Sequence, residues 1–551
     1  MTSVVRRRLA VASIAVLALL ATVTSIGSDF TYDDRGVVLD NPRVQSLSHL
    51  PRLWGETYWP PKYGGDGYRP FVLSLFALEW AAGDGAPRLF HAVNVVLAVA
   101  TALAIYWCAS AMLPPLGAWI AAALFAVHPV HVEVTGNVVG QSELVVALCL
   151  CIALGIYVRR RREGELGWPT TIAVALLYAV AIFTKEHAVV LLGLIAAAEF
   201  TVIPGDSWRR RVRAARPLVL LLIAVTVANL YVRGLVQRDL TGFVAYPIFR
   251  FLRMTAGDRI GTMMNEMPRV AQLLVFPAHL SADYSPTDVI VANGFDVTEI
   301  PGAIISMGTL VLAVALRRRA PVASFGLLWL IVAYLPVSNL IVPAGFVMAE
   351  RTLFLPSAGV MILVGSLAEH ARTAWSGRTR TVSAVALAML ALWWLARSVE
   401  RQRVWKNNDT FFTALMRDAP NGYRAHFLYA RHVGLKSRLS EMELEYRRAI
   451  RLFPYDAAMT LAVADAYTRA GLCKPAVILF EWSYGVEPEA QDARYQYVYC
   501  LARLGRWNDV KRDGLIGLRY AWPRDGRLIR EAIRQASLHL AEERSAGPRS
   551  P

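Results

Sequence analysis

Five short polar islands interrupt a largely apolar chain, and each carries side chains able to handle protons or phosphate. FTYDDRGVVLDNP sets Asp33 beside Asp34, and GYRPF carries Arg69. HPVHVE holds His128, His131 and Glu133 and runs on into Gln141 and Glu143. TKEH supplies Lys185, Glu186 and His187, and AERTLFLP supplies Glu350 and Arg351. A pair of carboxylates suits general-base work, with one acid taking the proton of an attacking hydroxyl. Lysine and arginine facing a cavity at a membrane surface suit a lipid-linked phosphate. His128, His131 and Glu133 are spaced by three and two, which could fit a metal or a phosphate oxygen, although this set is weakly specific. Each island also has a structural reading. Asp33 and Asp34 could cap a helix or pair with Arg35, Lys185 could pair with Glu186, and Arg351 with Glu350. His131 and Glu133 could be caps or packed polar bridges, and Arg69 could snorkel at the interface. Tyr32, Trp54, Trp59, Tyr63 and Tyr68 fit an interfacial aromatic belt and could also stack on a sugar.

The elements that must position these groups are membrane helices. The chain has 551 residues, 55% of them hydrophobic, and its mean hydropathy of +0.39 is too high for an ordinary soluble protein. Apolar runs recur near 9–26, 92–113, 116–130, 144–158, 169–183, 188–202, 217–232, 300–316, 321–341, 353–367 and 382–396. Several are shorter than the roughly 20 residues of a simple span, so they must recruit polar or small residues that neighbouring helices or a wet cavity satisfy. The net charge of +16 does not indicate nucleic acid, because much of the arginine sits in clusters between runs: Arg6–Arg8, Arg159–Arg162, Arg209–Arg216 and Arg317–Arg319. Counting about 11 crossings from a cytoplasmic N-terminus places all of these inside. The five polar islands, and everything after about residue 397, then fall on the outer (periplasmic or luminal) side. Arg259–His279 is broken by Asn265, Glu266, Pro268 and Arg269 and reads as an interfacial or re-entrant helix on that side. The first run could instead be a cleaved signal peptide, since small residues precede Asp29.

After residue 397 the period changes. Pro420, Pro454, Pro488 and Pro523 are spaced 34, 34 and 35 residues apart, with helix-pair patterns between them. Gly434, Gly471 and Gly505 stand where a left-handed cap would close the first helix of each pair, and a proline stops each second helix. This is the tetratricopeptide period. It predicts an all-α chain in which a polytopic membrane helix bundle over 1–397 is followed by a soluble α-solenoid of repeats over 398–545. Such a solenoid offers a concave surface for extended peptide, or it serves as a structural cap. Cys108, Cys149 and Cys151 fall inside apolar runs as small hydrophobes. Pairing of Cys473 with Cys500 is open, and no cysteine spacing suggests a metal site.

These motifs in this order resemble the TMTC family, the transmembrane and tetratricopeptide-repeat proteins of the GT-C glycosyltransferase superfamily. The matching stretches are FTYDDRGVVLDNP, YRPF, FHAVNVVL, LFAVHPVHVEVTGNVVGQSELV, TKEH, FPAHLSADYS, MAERTLFLPSAG and RSVERQRVWKNNDTFFTALMRDAPNGYRAHF. The resemblance implies a GT-C fold, a polyprenyl-phosphate-linked sugar donor, and transfer, typically of mannose, to Ser or Thr hydroxyls of a protein acceptor held by the repeats. It points to the first loop for the carboxylate base, with Asp33 in that role and Asp34 beside it. The chain departs from the family's pattern at Gln141, where an arginine often precedes the acidic residue. In the resulting scheme Lys185, Arg351, His128 and Arg69 bind the donor phosphate. His131, Glu133, Glu143, Glu186 and Glu350 support them. Protein cations can neutralise the phosphate, so no metal and no cofactor are expected. Two rival schemes keep the same architecture: the same donor with a glycan or lipid acceptor, and a non-catalytic membrane scaffold that recruits partners through its repeats.

Overall fold

The computed structural model describes residues 3–63, 65–164, 166–205, 207–237, 254–341, 343–344, 346–375 and 377–545, and every regular element among them is helical. All eleven expected apolar runs fold as helices. In chain order the first unit contains α1 (Ser3–Thr22), α2 (Pro70–Gly83), α3 (Pro87–Ala109), α4 (Pro115–Val127), α5 (Val132–Gly136) and α6 (Gln141–Glu163). It continues with α7 (Trp168–Thr184), α8 (Val190–Thr201), α9 (Trp208–Gln237), α10 (Ala256–Val275), α11 (Ile300–Leu316), α12 (Pro321–Tyr334), α13 (Phe354–Ala374), α14 (Gly377–Gln402) and α15 (Asn408–Asp418). Among the described residues, seven helices are long and apolar enough to cross a membrane. An eighth is formed if Pro115–Val127 and Pro129–Gly136, bent by 51°, count as one broken span. The protein is therefore a multi-pass membrane protein.

One apolar core is built from α1, α3, α4, α5, α6, α7, α8, α9, α12, α13 and α14. α1 packs on α3, α4 and α14, and Trp119 Nε1 donates to Ser13 Oγ at 2.9 Å. α12 and α13 approach through glycines. A Cβ on Gly326 would lie 2.6 Å from the Gly359 carbonyl oxygen, and one on Gly359 would lie 2.5 Å from that of Gly326. Small residues permit such contact where lipid supplies no hydrophobic drive between helices. The arginine cluster that closes α6 is less uniform than its sequence suggests. Arg161 is buried, with Nε 2.7 Å from Glu199 Oε1, an oxygen that also accepts from the Tyr157 hydroxyl at 2.7 Å.

One element differs from the sequence expectation. The 14-residue helix α2 was not anticipated, being too short for a simple span. With the 28–63 segment it forms a second apolar cluster that includes Phe30, Val37, Val38, Leu53, Phe76 and Phe90. The Arg259–His279 segment lies largely within α10, a single helix with Pro268 inside it. Gly261, Met263, Met267, Val270 and Leu274 form its buried face.

The second compact unit takes in Asn421 onward, so residues 398–420 pack with the membrane helices. It holds helix pairs: α16 (Tyr423–Gly434) with α17 (Leu439–Leu452), α18 (Ala457–Arg469) with α19 (Cys473–Val486), and α20 (Arg494–Arg503) with α21 (Trp507–Tyr520). α22 (Pro523–Ser545) follows and packs on α21. Gly471 (φ 76°) and Gly505 (φ 71°) adopt the left-handed conformation expected of them, but in the first pair Ser437 (φ 60°) takes that place. Gly434 instead admits the sulfur of Met442, 2.6 Å from where a Cβ would stand. Cys473 and Cys500 form a disulfide between α19 and α20, which answers the pairing left open by the sequence.

Gly359→Val should lower the thermal midpoint of the detergent-solubilised protein, because the added bulk meets backbone. Overpacking of this kind costs about 1–3 kcal/mol. A midpoint equal to wild type would show that α12 and α13 can separate freely.

Candidate active site

Asp33 and Asp34 are adjacent in sequence but face different surroundings. Tyr32, just before them, has φ 55°, a left-handed conformation that costs a non-glycine residue about 1–2 kcal/mol. It is held there from a distance. Its N–H donates to Asn408 Oδ1 at 2.9 Å, and its ring stacks on Phe411 with centroids 5.0 Å apart. Asp29 N–H donates to the Lys406 carbonyl at 2.8 Å. The RVWKNNDTFF segment thus clamps the loop that carries the acids. Beyond this kink Asp34 turns inward and is fully buried. Its Oδ1 accepts the Val139 N–H at 2.9 Å and its Oδ2 the Thr31 N–H at 3.1 Å, tying the first loop to the turn before α6. Burial pushes its pKa up to about 7 against the pull of these backbone donors. Asp33 stays half-buried and lines a cavity of about 480 Å³.

The same cavity is lined by Arg69, Glu133, Glu143, Lys185, Glu186, His187, Arg233 and Arg351, with Tyr58 and Trp59 among its aromatic walls and Leu335, Val337 and Ile341 among its apolar ones. The cations pair across the fold rather than with their sequence neighbours. Lys185 Nζ lies 2.5 Å from Glu143 Oε1, and His187 Nε2 lies 3.2 Å from Glu143 Oε2. Arg69 Nη2 lies 3.3 Å from Glu186 Oε2. Arg351 ion-pairs with Glu133, which also accepts the Arg351 backbone N–H at 2.8 Å. Side chains on successive residues diverge, so the pairs Lys185–Glu186 and Arg351–Glu350 do not form. The Lys185, Arg69 and Arg351 side chains keep 17%, 21% and 31% exposure, so each remains open to a ligand. Burial lowers the Lys185 pKa, opposed chiefly by Glu143. Burial would also lower Arg69, but Glu186 and then Tyr58 raise it.

Several residues singled out from sequence sit elsewhere. His128 is outside the lining of this cavity: its Nδ1 accepts from Val130 N–H at 3.2 Å, and its Nε2 bonds the Leu274 carbonyl at 3.1 Å. With both ring nitrogens engaged it is a capping and packing residue, which corrects its assignment to the phosphate. His131 Nε2 bonds Ser357 Oγ at 2.8 Å, between the rings of Phe125 and Phe354. Glu350 turns away to accept from Ser281 N–H at 2.6 Å and from the Tyr284 hydroxyl at 2.8 Å. Gln141 also points away, with Nε2 2.9 Å from Glu79 Oε2, while its neighbours Gly140, Ser142 and Glu143 line the cavity. The sequence reading missed Tyr58, and Arg233 near the end of α9. An arginine inside the apolar stretch VANLYVRGLV was the signal that marked the latter.

Fold and site together define a polytopic membrane protein with a cavity of alternating charge, followed by helix-pair repeats. No family model matches the chain. It is 24% identical over 455 residues to a protein O-mannosyl-transferase of Caenorhabditis elegans, covering 80% of this chain and 62% of that protein. It is 25% identical over 423 residues to protein O-mannosyl-transferase TMTC3 of Mus musculus, covering 71% and 45%. With TMTC4 of Homo sapiens the figures are 26% over 475 residues, 76% and 63%. The chain resembles the TMTC O-mannosyltransferases over most of its length, and it spans less than two thirds of the length of these relatives. Among solved structures, an Archaeoglobus fulgidus oligosaccharyltransferase tethered with an acceptor peptide is 13% identical. It superposes with a TM-score of 0.44 over 76% of this chain and 58% of that one, a likeness too low to carry a conclusion about this chain.

Asp34→Ala should destabilise the protein, at about 1–3 kcal/mol for each buried N–H left without an acceptor. The folded pKa of Asp34 lies above its ordinary 3.8, so its contribution to stability is greatest at low pH and is lost as pH rises from about 4 to about 7. The melting temperature of wild type should therefore fall from pH 5 to pH 7.5 more than that of Asp34→Asn. Parallel curves would exclude Asp34 as the titrating group.

Proposed function

We propose that the protein is a membrane glycosyltransferase that moves a sugar, mannose by its resemblance to the TMTC proteins, from a polyprenyl-phosphate-linked donor to Ser or Thr hydroxyls of a protein acceptor. The observation that carries this reading is one cavity shared by the Asp33 carboxylate and the exposed edges of Arg69, Lys185 and Arg351. In this scheme Asp33 is the general base. It takes the acceptor hydroxyl proton as that oxygen attacks the anomeric carbon in line. The bond from the anomeric carbon to the phosphate oxygen breaks, and its electron pair leaves with the polyprenyl phosphate. Cations already in place stabilise that developing charge without reorganising, which is the largest contribution a preorganised site can make. Attack from the face opposite the leaving group inverts the anomeric centre. The prenyl tail runs along the apolar wall at Leu335, Val337 and Ile341, and the repeats bind the acceptor polypeptide.

Asp33, not Asp34, is the base in this reading. Both Asp34 oxygens accept backbone donors in the packed interior, whereas Asp33 reaches the cavity. The Cys473–Cys500 disulfide supports an oxidising compartment for the repeats. This agrees with the reading of the charge pattern in which the repeats and the polar islands lie on the periplasmic or luminal side.

Asp33→Asn should keep the thermal midpoint and lose about 100- to 10,000-fold in transfer rate, measured with a polyprenyl-phosphate mannose and a Ser/Thr-rich peptide. Full activity in this variant would refute the base assignment. Transfer to a glycan or lipid but to no peptide would favour the alternative acceptor, and wild-type cells indistinguishable from a deletion strain in glycan profile would favour a scaffold. For sidedness, Leu435→Cys, at an exposed position of the repeats, should react with a membrane-impermeant maleimide in intact cells. Labelling only after the cells are broken open would reverse the topology.

A further inference from the structure

The reading of the cavity as the donor site leaves one buried cation in it without a role. Arg233 lies one turn from the end of α9, retains only 6% exposure, and lines the same cavity as Asp33, Arg69, Lys185 and Arg351. An arginine at the end of an apolar membrane helix ordinarily extends to water. Burying it beside membrane helices instead is costly for a charged group. Arg233 is turned into the protein, and among its contacts its Nε donates to the amide oxygen of Gln237 at 2.7 Å, one turn further on, which helps to orient the guanidinium. Its charge is felt across the cavity. Burial works to raise Glu186, yet Arg69, the residue's own backbone and Arg233 bring its pKa below the ordinary value. The planar fork of a guanidinium matches phosphate oxygens two at a time, and a preset fork loses little freedom when it binds.

We propose that Arg233 is a ligand of the donor phosphate, forming with Arg69 and Lys185 the cationic wall that holds the polyprenyl phosphate before and after transfer. It makes and breaks no covalent bond. It donates N–H bonds to the phosphate oxygens, which gain a negative charge as the anomeric bond breaks, while the proton goes to Asp33. Gln237 positions the fork and does not touch the ligand.

The test uses the full chain in nanodiscs with polyprenyl monophosphate as the titrant, alongside steady-state transfer. Losing a hydrogen bond to a charged group predicts that Arg233→Gln raises the Kd about 10-fold or more, with a matching rise in donor KM. Arg233→Lys should recover part of the affinity, and Gln237→Ala should have a smaller effect. Wild-type Kd and KM in a folded Arg233→Gln would overturn the proposal. If Arg233→Gln does not fold, Arg233→Lys decides: weaker binding at an unchanged thermal midpoint supports the fork, and wild-type Kd and KM overturn it. A wild-type protein that binds no polyprenyl phosphate and transfers no sugar would instead bring down the donor-site reading itself.

Discussion

The bridge from the Asp34 carboxylate to the Thr31 and Val139 N–H groups is the contact on which the rest of the site depends. It joins two segments 105 residues apart in sequence and fixes the direction in which the chain leaves the buried acid. Because Tyr32 is kinked into a left-handed conformation and held by Asn408 and Phe411, the neighbouring acid is left facing the cavity. One carboxylate is used to place the other. The two acids thus divide the work, one anchoring the loop and the other lining the cavity.

Around that anchor the cavity solves a second problem, the burial of many charges beside membrane helices. Each ion pair joins elements distant in sequence: α6 with the turn after α7, that turn with the start of α2, and α5 with the turn before α13. In a low-dielectric setting an isolated charge is far more costly than a paired one, so pairing holds these segments in register while leaving their cationic edges toward the cavity. The carboxylate of each pair holds its cation in place at the cavity wall.

Much of the architecture was legible before folding was considered. The eleven apolar runs became helices because their composition demanded it, and the proline spacing in the C-terminal region marked the helix pairs. α2 escaped notice because its 14 residues and Glu79 did not look like a span. Its stability comes from packing beneath the first loop, which local sequence does not record. The left-handed cap was read correctly at Gly471 and Gly505 and misplaced at Gly434, because Met442 occupies the space that only glycine leaves there. The islands that carry the site are legible in the sequence as islands, but adjacency along the chain does not give their partners. Lys185 and Arg351 bond to residues 42 and 218 positions away.

The residue types and their order by themselves determined that this is a helical membrane protein with acids and cations gathered in a few loops, and with a repeated helix pair behind them. Those are consequences of hydropathy, period and turn chemistry, which act locally along the chain. Only the tertiary structure decided that Asp33 faces the cavity and Asp34 the interior, that His128 is a cap, that Glu350 turns away, and that Arg233 lines the same cavity as Asp33. Those outcomes depend on which oxygen finds which distant N–H and which charge finds which distant counter-charge. Such pairings are selected by the cost of leaving a buried polar group unsatisfied, a cost that exists only once the helices have packed.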